Sequence, residues 1–210
     1  MDEMFDSGSV GLDAPFRETT IRNEASDPVQ PGERGELWVR GRSILQGYWS
    51  KPHADADSFR AADDGGPHWF RTGDLFESDS NGFLWLVGRL KDMIRRSSEN
   101  IAAREIEAVV RELSQVEDCA AVAVPDAERG DEIKIYVQLK EGVGAADLPF
   151  VQIKGHCAKR LAAFKVPRFY TYIDAFPRTV SNKVEKRKLV AGVQDLRSGA
   201  WDASDERAKR

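Results

Sequence analysis

Gly88-Arg89-Leu90-Lys91-Asp92-Met93-Ile94 divides the chain into two textures. Upstream of it the sequence is turn-rich and strand-like. Glu36-Leu37-Trp38-Val39-Arg40 alternates with a period of two, as a half-buried strand does. Thr19–Arg22 and Trp69-Phe70-Arg71 read as further strands, the latter ending in Thr72-Gly73-Asp74. Asp79-Ser80-Asn81-Gly82 is a hairpin signal ahead of Phe83-Leu84-Trp85-Leu86-Val87. Lys51–Arg60, with Pro52 at a tolerated first-turn position, predicts one short helix. Residues 1–88 are therefore expected to form a small β-barrel-like or sandwich-like subdomain.

Downstream, helices and strands alternate. Ile101, Ile106, Val109, Val110 and Leu113 share one face of a helix expected over 103–113. Strands are expected at Cys119–Val124, Ile133–Leu139 and Phe169–Ile173. Asp147 is a candidate N-cap for a helix reaching Phe164, with Val151, Ile153, Cys157, Leu161 and Phe164 as its apolar face. This alternation predicts a compact α+β domain over 93–192, after a connecting segment at 89–92. The polar stretch 193–210 is expected to be a frayed tail. The fold class is α+β.

Composition limits the possible functions. The 210 residues are 41% hydrophobic and 31% charged, with a formal net charge of −4, so no electrostatic argument favours nucleic acid or an anionic membrane. No apolar run reaches the roughly 20 residues of a membrane span, and the acidic start (Asp2, Glu3, Asp6) is unlike a signal peptide. A cytoplasmic location is the expectation. Cys119 and Cys157 are too few for a disulfide framework or a cysteine metal site, and lie in apolar segments as expected buried thiols. His53, His68 and His156 lack metal-ligand spacing, so no metal site is assigned. Trp38, Trp49, Trp69 and Trp85 are expected in the packing.

Four segments carry the chemistry: Gly35-Glu36-Leu37 leading to Gly47-Tyr48-Trp49; Trp69-Phe70-Arg71-Thr72-Gly73-Asp74; Gly88–Ile94 with Glu99-Asn100-Ile101 and Glu105-Ile106-Glu107; and Phe176-Pro177-Arg178-Thr179-Val180-Ser181-Asn182-Lys183. In order and spacing they resemble the acyl-CoA synthetase branch of the adenylate-forming superfamily, over about residues 8–189. Within it, Lys-Asp-Met-Ile-Arg-Arg at 91–96 and Phe-Lys-Val-Pro-Arg-Phe at 164–169 look most like the crotonobetaine/carnitine–CoA ligase-like and medium-chain or aromatic acid–CoA ligase groups.

The resemblance implies that a carboxylic acid attacks the α-phosphate of ATP, giving an acyl-adenylate and pyrophosphate, and that the CoA thiol then displaces AMP. Residues 1–88 would be the last β subdomain of the large domain, 89–92 the hinge and 93–192 the mobile lid. Bringing two anions together needs positive charge where charge builds up. The resemblance gives Lys183 that task. The plain alternative is a solvated lysine beside Lys186 and Lys188. It makes Asp74 the carboxylate that accepts both ribose hydroxyls, against an ordinary turn aspartate. Arg89 becomes a ribose or phosphate contact, against a salt bridge across the domain boundary. Lys91 becomes the pivot, against a plain exposed lysine. Arg95, Arg96 and Ser98 become CoA contacts, with simple solvent exposure of the two arginines as the alternative.

Two positions depart from the family pattern, Ser98 and Asn182, where glycine is usual. A Cβ at Ser98 restricts φ beside the expected CoA channel, whereas Asn at 182 tolerates left-handed backbone. Nothing in the chain matches the family's Ser/Thr/Gly-rich phosphate loop, its Thr-Glu element, its adenine-packing aromatic or its acyl pocket. The isolated chain is therefore expected not to adenylate an acid at a useful rate. Mg²⁺ is expected only with the complete enzyme, and surface left uncovered is expected to favour self-association. Alternatives are a stand-alone module that completes or regulates a separately encoded adenylation domain, and a nucleotide- or CoA-binding protein without catalysis.

Overall fold

The computed structural model describes residues 8–205 and divides between Lys91 and Asp92 into two compact units. The first is one antiparallel sheet of β1 (Arg17–Arg22), β2 (Arg34–Gly41), β3 (Phe59–Arg60), β4 (Trp69–Ser78) and β5 (Leu84–Arg89), with the short helix α1 (Pro52–Ser58) leading into β3. Strand order is β1-β2-β4-β3, and β5 pairs the second half of β4. Among the described residues the two ends do not pair, so the sheet is open where a barrel-like closure was expected. Only two residues of β3 reach the sheet, too short an edge to carry the ladder round to β1.

Ile21, Leu37, Phe76 and Leu84 form its core. Trp38 and Trp69 are also buried, beneath the guanidinium groups of Arg22 and Arg40, which lie 4.9 and 4.4 Å from the respective ring centres. Trp49 departs from expectation and is 93% exposed. β4 does not stop at Thr72-Gly73-Asp74 as the sequence predicts; Gly73, at φ 71°, bends it, with β2 paired both before and after the bend and β5 paired from Asp74 onward.

The second unit contains β6 (Met93–Arg96), β7 (Glu99–Ala102), α2 (Ala103–Arg111), β8 (Val116–Asp126), β9 (Gly130–Leu139), α3 (Phe150–Arg160), β10 (Phe169–Tyr172), α4 (Lys186–Val190) and β11 (Trp201–Asp202). The long β9 is central. It pairs with β8 along its length on one side, and with β6 and, in parallel, β10 on the other. Period-two alternation sorts the side chains to two faces. Cys119, Ala121, Ile133, Ile135 and Val137 join Ile106, Val110, Ile153 and Cys157 of α2 and α3. Ala120, Val122 and Tyr136 face the other way and take Phe176 and Leu189, with Val184 packed against them.

Two expectations fail here. α3 starts at Phe150 with Pro149 as its N-cap, because the residue before a proline is held out of the helical region. Asp147 instead accepts a hydrogen bond from the Gly144 amide at 2.8 Å. The helix ends at Arg160, so Val151 and Phe164 are exposed rather than core. The frayed tail also fails as far as Asp205. β11 pairs with β10, Trp201 packs against Phe150 and Tyr170, Ala203 is buried, and Arg168 forks onto Asp202. One tryptophan and one ion pair outweigh the polar composition of this stretch. Residues 206–210 lie outside the described residues.

Candidate functional site

The first unit contributes Asp74. It stands opposite Arg89 in the β4–β5 register, and Arg89 Nε lies 2.9 Å from Asp74 Oδ1. The ion pair lies within one unit, unlike the boundary-crossing bridge considered as the alternative for Arg89. Asp74 is partly exposed and Arg89 largely so. The Asp74 amide donates to Thr72 Oγ1, whose hydroxyl donates to the Leu37 carbonyl at 2.8 Å.

Beneath this bend lies Glu36, only 7% exposed. Its Oε2 accepts from Trp38 Nε1 and Arg71 Nε, each at 2.9 Å, and its Oε1 accepts from the Gly73 amide at 3.0 Å. One buried carboxylate thus satisfies three donors and fixes the backbone immediately before Asp74. Sequence reasoning quoted Glu36 within a motif and gave it no role. Its place two residues before Trp38, on the same face of an alternating strand, was the available signal.

Lys91 is exposed within a single 3-10 turn, Leu90–Asp92. β6 and β7 follow as a hairpin whose two-residue tip is Ser97-Ser98. The positive φ falls on Ser97, at 57°, so the backbone demand anticipated for Ser98 sits one residue earlier. A two-residue hairpin loop places it at the first central position. The two arginines of β6 divide between opposite faces. Arg95 is exposed. Arg96 is buried, with Nη2 2.8 Å from Glu132 Oε2 and Nη1 donating to the Phe164 carbonyl at 2.8 Å. The expectation that Arg96 contacts CoA is therefore corrected: its donors are committed to the interior, where it shares the buried Glu132 carboxylate with Arg129.

Lys183 closes a short hairpin loop of the second unit. Thr179 N donates to the Lys183 carbonyl (2.8 Å), Asn182 N to the Thr179 carbonyl (2.9 Å), and Lys183 N to Thr179 Oγ1 (3.1 Å). Arg178 bridges Val184 across the stem. Asn182 takes φ 61°, the left-handed position of a three-residue hairpin loop, which asparagine fills at lower cost than most residues. Lys183 itself is exposed. The stem is fastened by charged groups that sequence reasoning did not assign. Arg178 Nη2 reaches Asp118 Oδ2 at 2.7 Å, and Lys186 Nζ reaches Glu107 Oε1 at 2.6 Å. Burial works to raise the Asp118 carboxyl, but hydrogen bonds from Arg178, the Cys119 amide and Arg111 outweigh it and hold that group below the usual range.

Neither thiol is equipped as a nucleophile. Burial, the dominant cause, pushes both Cys119 and Cys157 up to about 12. No cluster of three or more metal-ligating side chains occurs among the described residues, and no helix among them is long and apolar enough to cross a membrane.

Comparison with known proteins supplies the remaining context. Residues 105–183 match the model of the AMP-binding enzyme C-terminal domain, and the match ends on Lys183. A mitochondrial medium-chain acyl-CoA ligase of Rattus norvegicus is 36% identical over 184 residues, covering 87% of this chain and 29% of the relative. A long-chain-fatty-acid–CoA ligase of Yersinia pestis is 34% identical over 198 residues, covering 94% and 33%. Among solved structures, Bacillus subtilis o-succinylbenzoate CoA synthetase in complex with its acyl-adenylate intermediate superposes with a TM-score of 0.77 at 29% identity, covering 92% of this chain and 37% of that one. ATP-bound MatB from Rhodopseudomonas palustris gives 0.75 at 29% identity, covering 87% and 35%. The chain thus spans about a third of the length of the curated relatives it matches.

Proposed function

We propose, from its similarity to acyl-CoA ligases and to the AMP-binding enzyme C-terminal domain, that the chain is the C-terminal part of an adenylate-forming acyl-CoA synthetase and supplies two components of an ATP-dependent acid–CoA ligase. These are a lysine-bearing lid and a ribose-binding carboxylate. The observation that carries the proposal is the Lys183 hairpin: a long, exposed cation on a loop whose backbone is fixed by three hydrogen bonds.

In the first half-reaction a carboxylate oxygen bonds to the α-phosphorus while the bond from phosphorus to the pyrophosphate oxygen breaks. Negative charge concentrates on the entering acid and the phosphoryl oxygens. The Lys183 ammonium neutralises it there, and its flexible stem lets it follow the reacting atoms. Asp74 accepts the ribose hydroxyls, and Arg89 orients that carboxylate through Oδ1. In the second half-reaction the CoA sulfur bonds to the acyl carbon and the acyl–oxygen bond to AMP breaks. Lys91 is the pivot on which the lid exchanges faces between steps. Arg95 meets a CoA phosphate, and the Ser97-Ser98 tip lines the pantetheine path.

The test is pyrophosphate release when the 210-residue chain is combined with the large-domain portion of an acid–CoA ligase deprived of its own C-terminal part, with ATP, Mg²⁺ and a panel of carboxylic acids. The chain alone is expected to give background. The mixture is expected to turn over, and Lys183→Ala to reduce turnover about 100-fold or more, the scale of removing one charge-stabilising donor. Turnover indifferent to Lys183→Ala would sink the proposal.

A further inference from the structure

We propose that Arg178, Asp118, Arg111, Glu107 and Lys186 form a ring of ion pairs whose task is to position Lys183. The inference rests on the reading of Lys183 given above and adds a mechanism for holding its loop.

The ring can be traced around the hairpin. Arg178, ahead of the loop, donates from Nη2 to Asp118 Oδ2 at 2.7 Å and from Nη1 to the Asn182 carbonyl at 3.0 Å. Asp118 Oδ1 accepts from Arg111 Nε at 3.2 Å. Arg111 Nη2 lies 3.6 Å from Glu107 Oε2. Glu107 Oε1 meets Lys186 Nζ, behind the loop, at 2.6 Å. The stem backbone completes the circuit, with Glu185 N donating to the Pro177 carbonyl at 2.8 Å.

Both ends of the Lys183 loop are therefore tied to carboxylates, and one arginine joins those carboxylates. The anchor itself is stiff. Glu107 Oε1 also accepts from the Ala121 amide at 2.9 Å, and Arg111 Nη2 donates to the Cys119 carbonyl at 3.1 Å. These are groups on the side of β8 away from β9, so the ring caps a sheet edge and α2 together. Lys186 also lies 3.6 Å from Asp92, the first residue of the second unit.

Simple surface decoration does not account for this pattern. Glu107 is buried, and the side chains of Asp118 and Lys186 are mostly covered. The Arg178 fork spans two acceptors, one of them the carbonyl of the left-handed Asn182. A loop that must deliver a charge to within about 1 Å gains from a backbone that cannot wander, because small misplacements cost rates of order 100-fold.

Amide hydrogen exchange in the full chain tests the ring, read at Thr179, Asn182 and Lys183 and compared with the β9 amides. Arg178→Gln and Lys186→Gln are each expected to speed hairpin exchange about fivefold, and the double variant by clearly less than the roughly 25-fold product of independent sites, with β9 unchanged. Arg178→Lys, which keeps the charge but not the two-acceptor fork, should recover only part of the protection. A change below twofold at the hairpin, or an equal change in β9, overturns the ring. The combined pyrophosphate assay separates this from the Lys183 reading. Arg178→Gln should lower kcat severalfold with little change in KM. Faster exchange with unaltered kcat would make the ring structural only and overturn the positioning claim. Lys183→Ala, by contrast, should lower turnover about 100-fold or more without touching exchange, and turnover indifferent to it would refute the Lys183 reading while leaving the ring's effect on the loop intact.

Discussion

Replacing Glu36 by alanine removes a carboxylate that three donors share in a nearly closed pocket. Trp38 Nε1 and the Gly73 amide lose acceptors at 2.9 and 3.0 Å, and Arg71 loses an ion-pair partner at 2.8 Å. The Arg71 side chain keeps 30% of its exposure, so water re-solvates much of its charge, and the full penalty for a stranded buried ion does not apply. Trp38 is 4% exposed, and its indole N–H has no such relief. Leaving that donor unmade costs about 1–3 kcal/mol, and the charge-assisted bond to Arg71 adds about 1–2. A total near 3 kcal/mol follows, on the first unit alone. With a urea slope of about 2 kcal/mol/M for a unit of this size, the midpoint should fall by roughly 1.5 M. Tryptophan fluorescence follows the transition, since Trp38 and Trp69 both lie in this unit and shed their guanidinium covers on unfolding. A midpoint shift under about 0.3 M would mean that the carboxylate does not hold the bend, and its assignment as the support of Asp74 would fall with it.

Four further outcomes are expected. Because hydrogen bonding depresses the Asp118 carboxyl, its stabilisation is fully present above the ordinary carboxylate value of about 4 and is lost as pH falls through its lower folded value; Asp118→Asn should therefore flatten the acid limb of an exchange profile of the hairpin amides taken from pH 5 to 2. With both thiols pushed up to about 12, roughly one in ten thousand is ionised at pH 8, so Ellman's reagent should titrate neither in the native chain and two after denaturation. Ser97→Gly should be neutral to stabilising by up to about 1 kcal/mol, whereas Ser98→Gly should cost about 0.5 kcal/mol; thermal melts giving the reverse order would place the strain at the wrong residue. Ending the chain at Gly192 removes Trp201, Ala203 and the Asp202 partner of Arg168, and should destabilise the second unit by roughly 3–5 kcal/mol, read as a lowered melting temperature.

Local chemistry was legible wherever a short window contained its own explanation. The alternation at 36–40, the turn at 79–82 and the apolar face of 103–113 all gave elements that the structure contains, with ends displaced by a few residues. Asp147 misled because its capping chemistry was correct but Pro149 controlled where the helix could begin. The tail was misread because composition counts residues, whereas packing depends on where one Trp201 lands. Arg95 and Arg96 looked equivalent in the sequence, yet a strand sends neighbours to opposite faces and only one of them meets Glu132. The supports of the candidate site were the least legible of all. Asp118 and Arg178 are 60 residues apart, and neither carries a local pattern that announces the other.

That distribution has a physical reason. Lys183 was singled out through the resemblance of residues 176–183 to a family motif, and such a motif is a run of consecutive residues. The groups that hold the loop need only reach it, from any strand or helix that passes within a side chain's length. They are therefore free to sit anywhere in the chain, provided that the fold returns them. Ordering a lysine side chain during reaction already costs up to about 2 kcal/mol of rotamer freedom. If the hairpin backbone were loose as well, each of its residues would add about 1–2 kcal/mol to that cost. In the proposed reaction, fixing the backbone during folding, through Asp118 and Glu107, leaves only the lysine's own torsions to be settled as Lys183 meets the phosphate. The proposed lid, if it is to turn as a body about Lys91, needs a stiff interior for the same reason, since flexibility at the hairpin would absorb the proposed rotation.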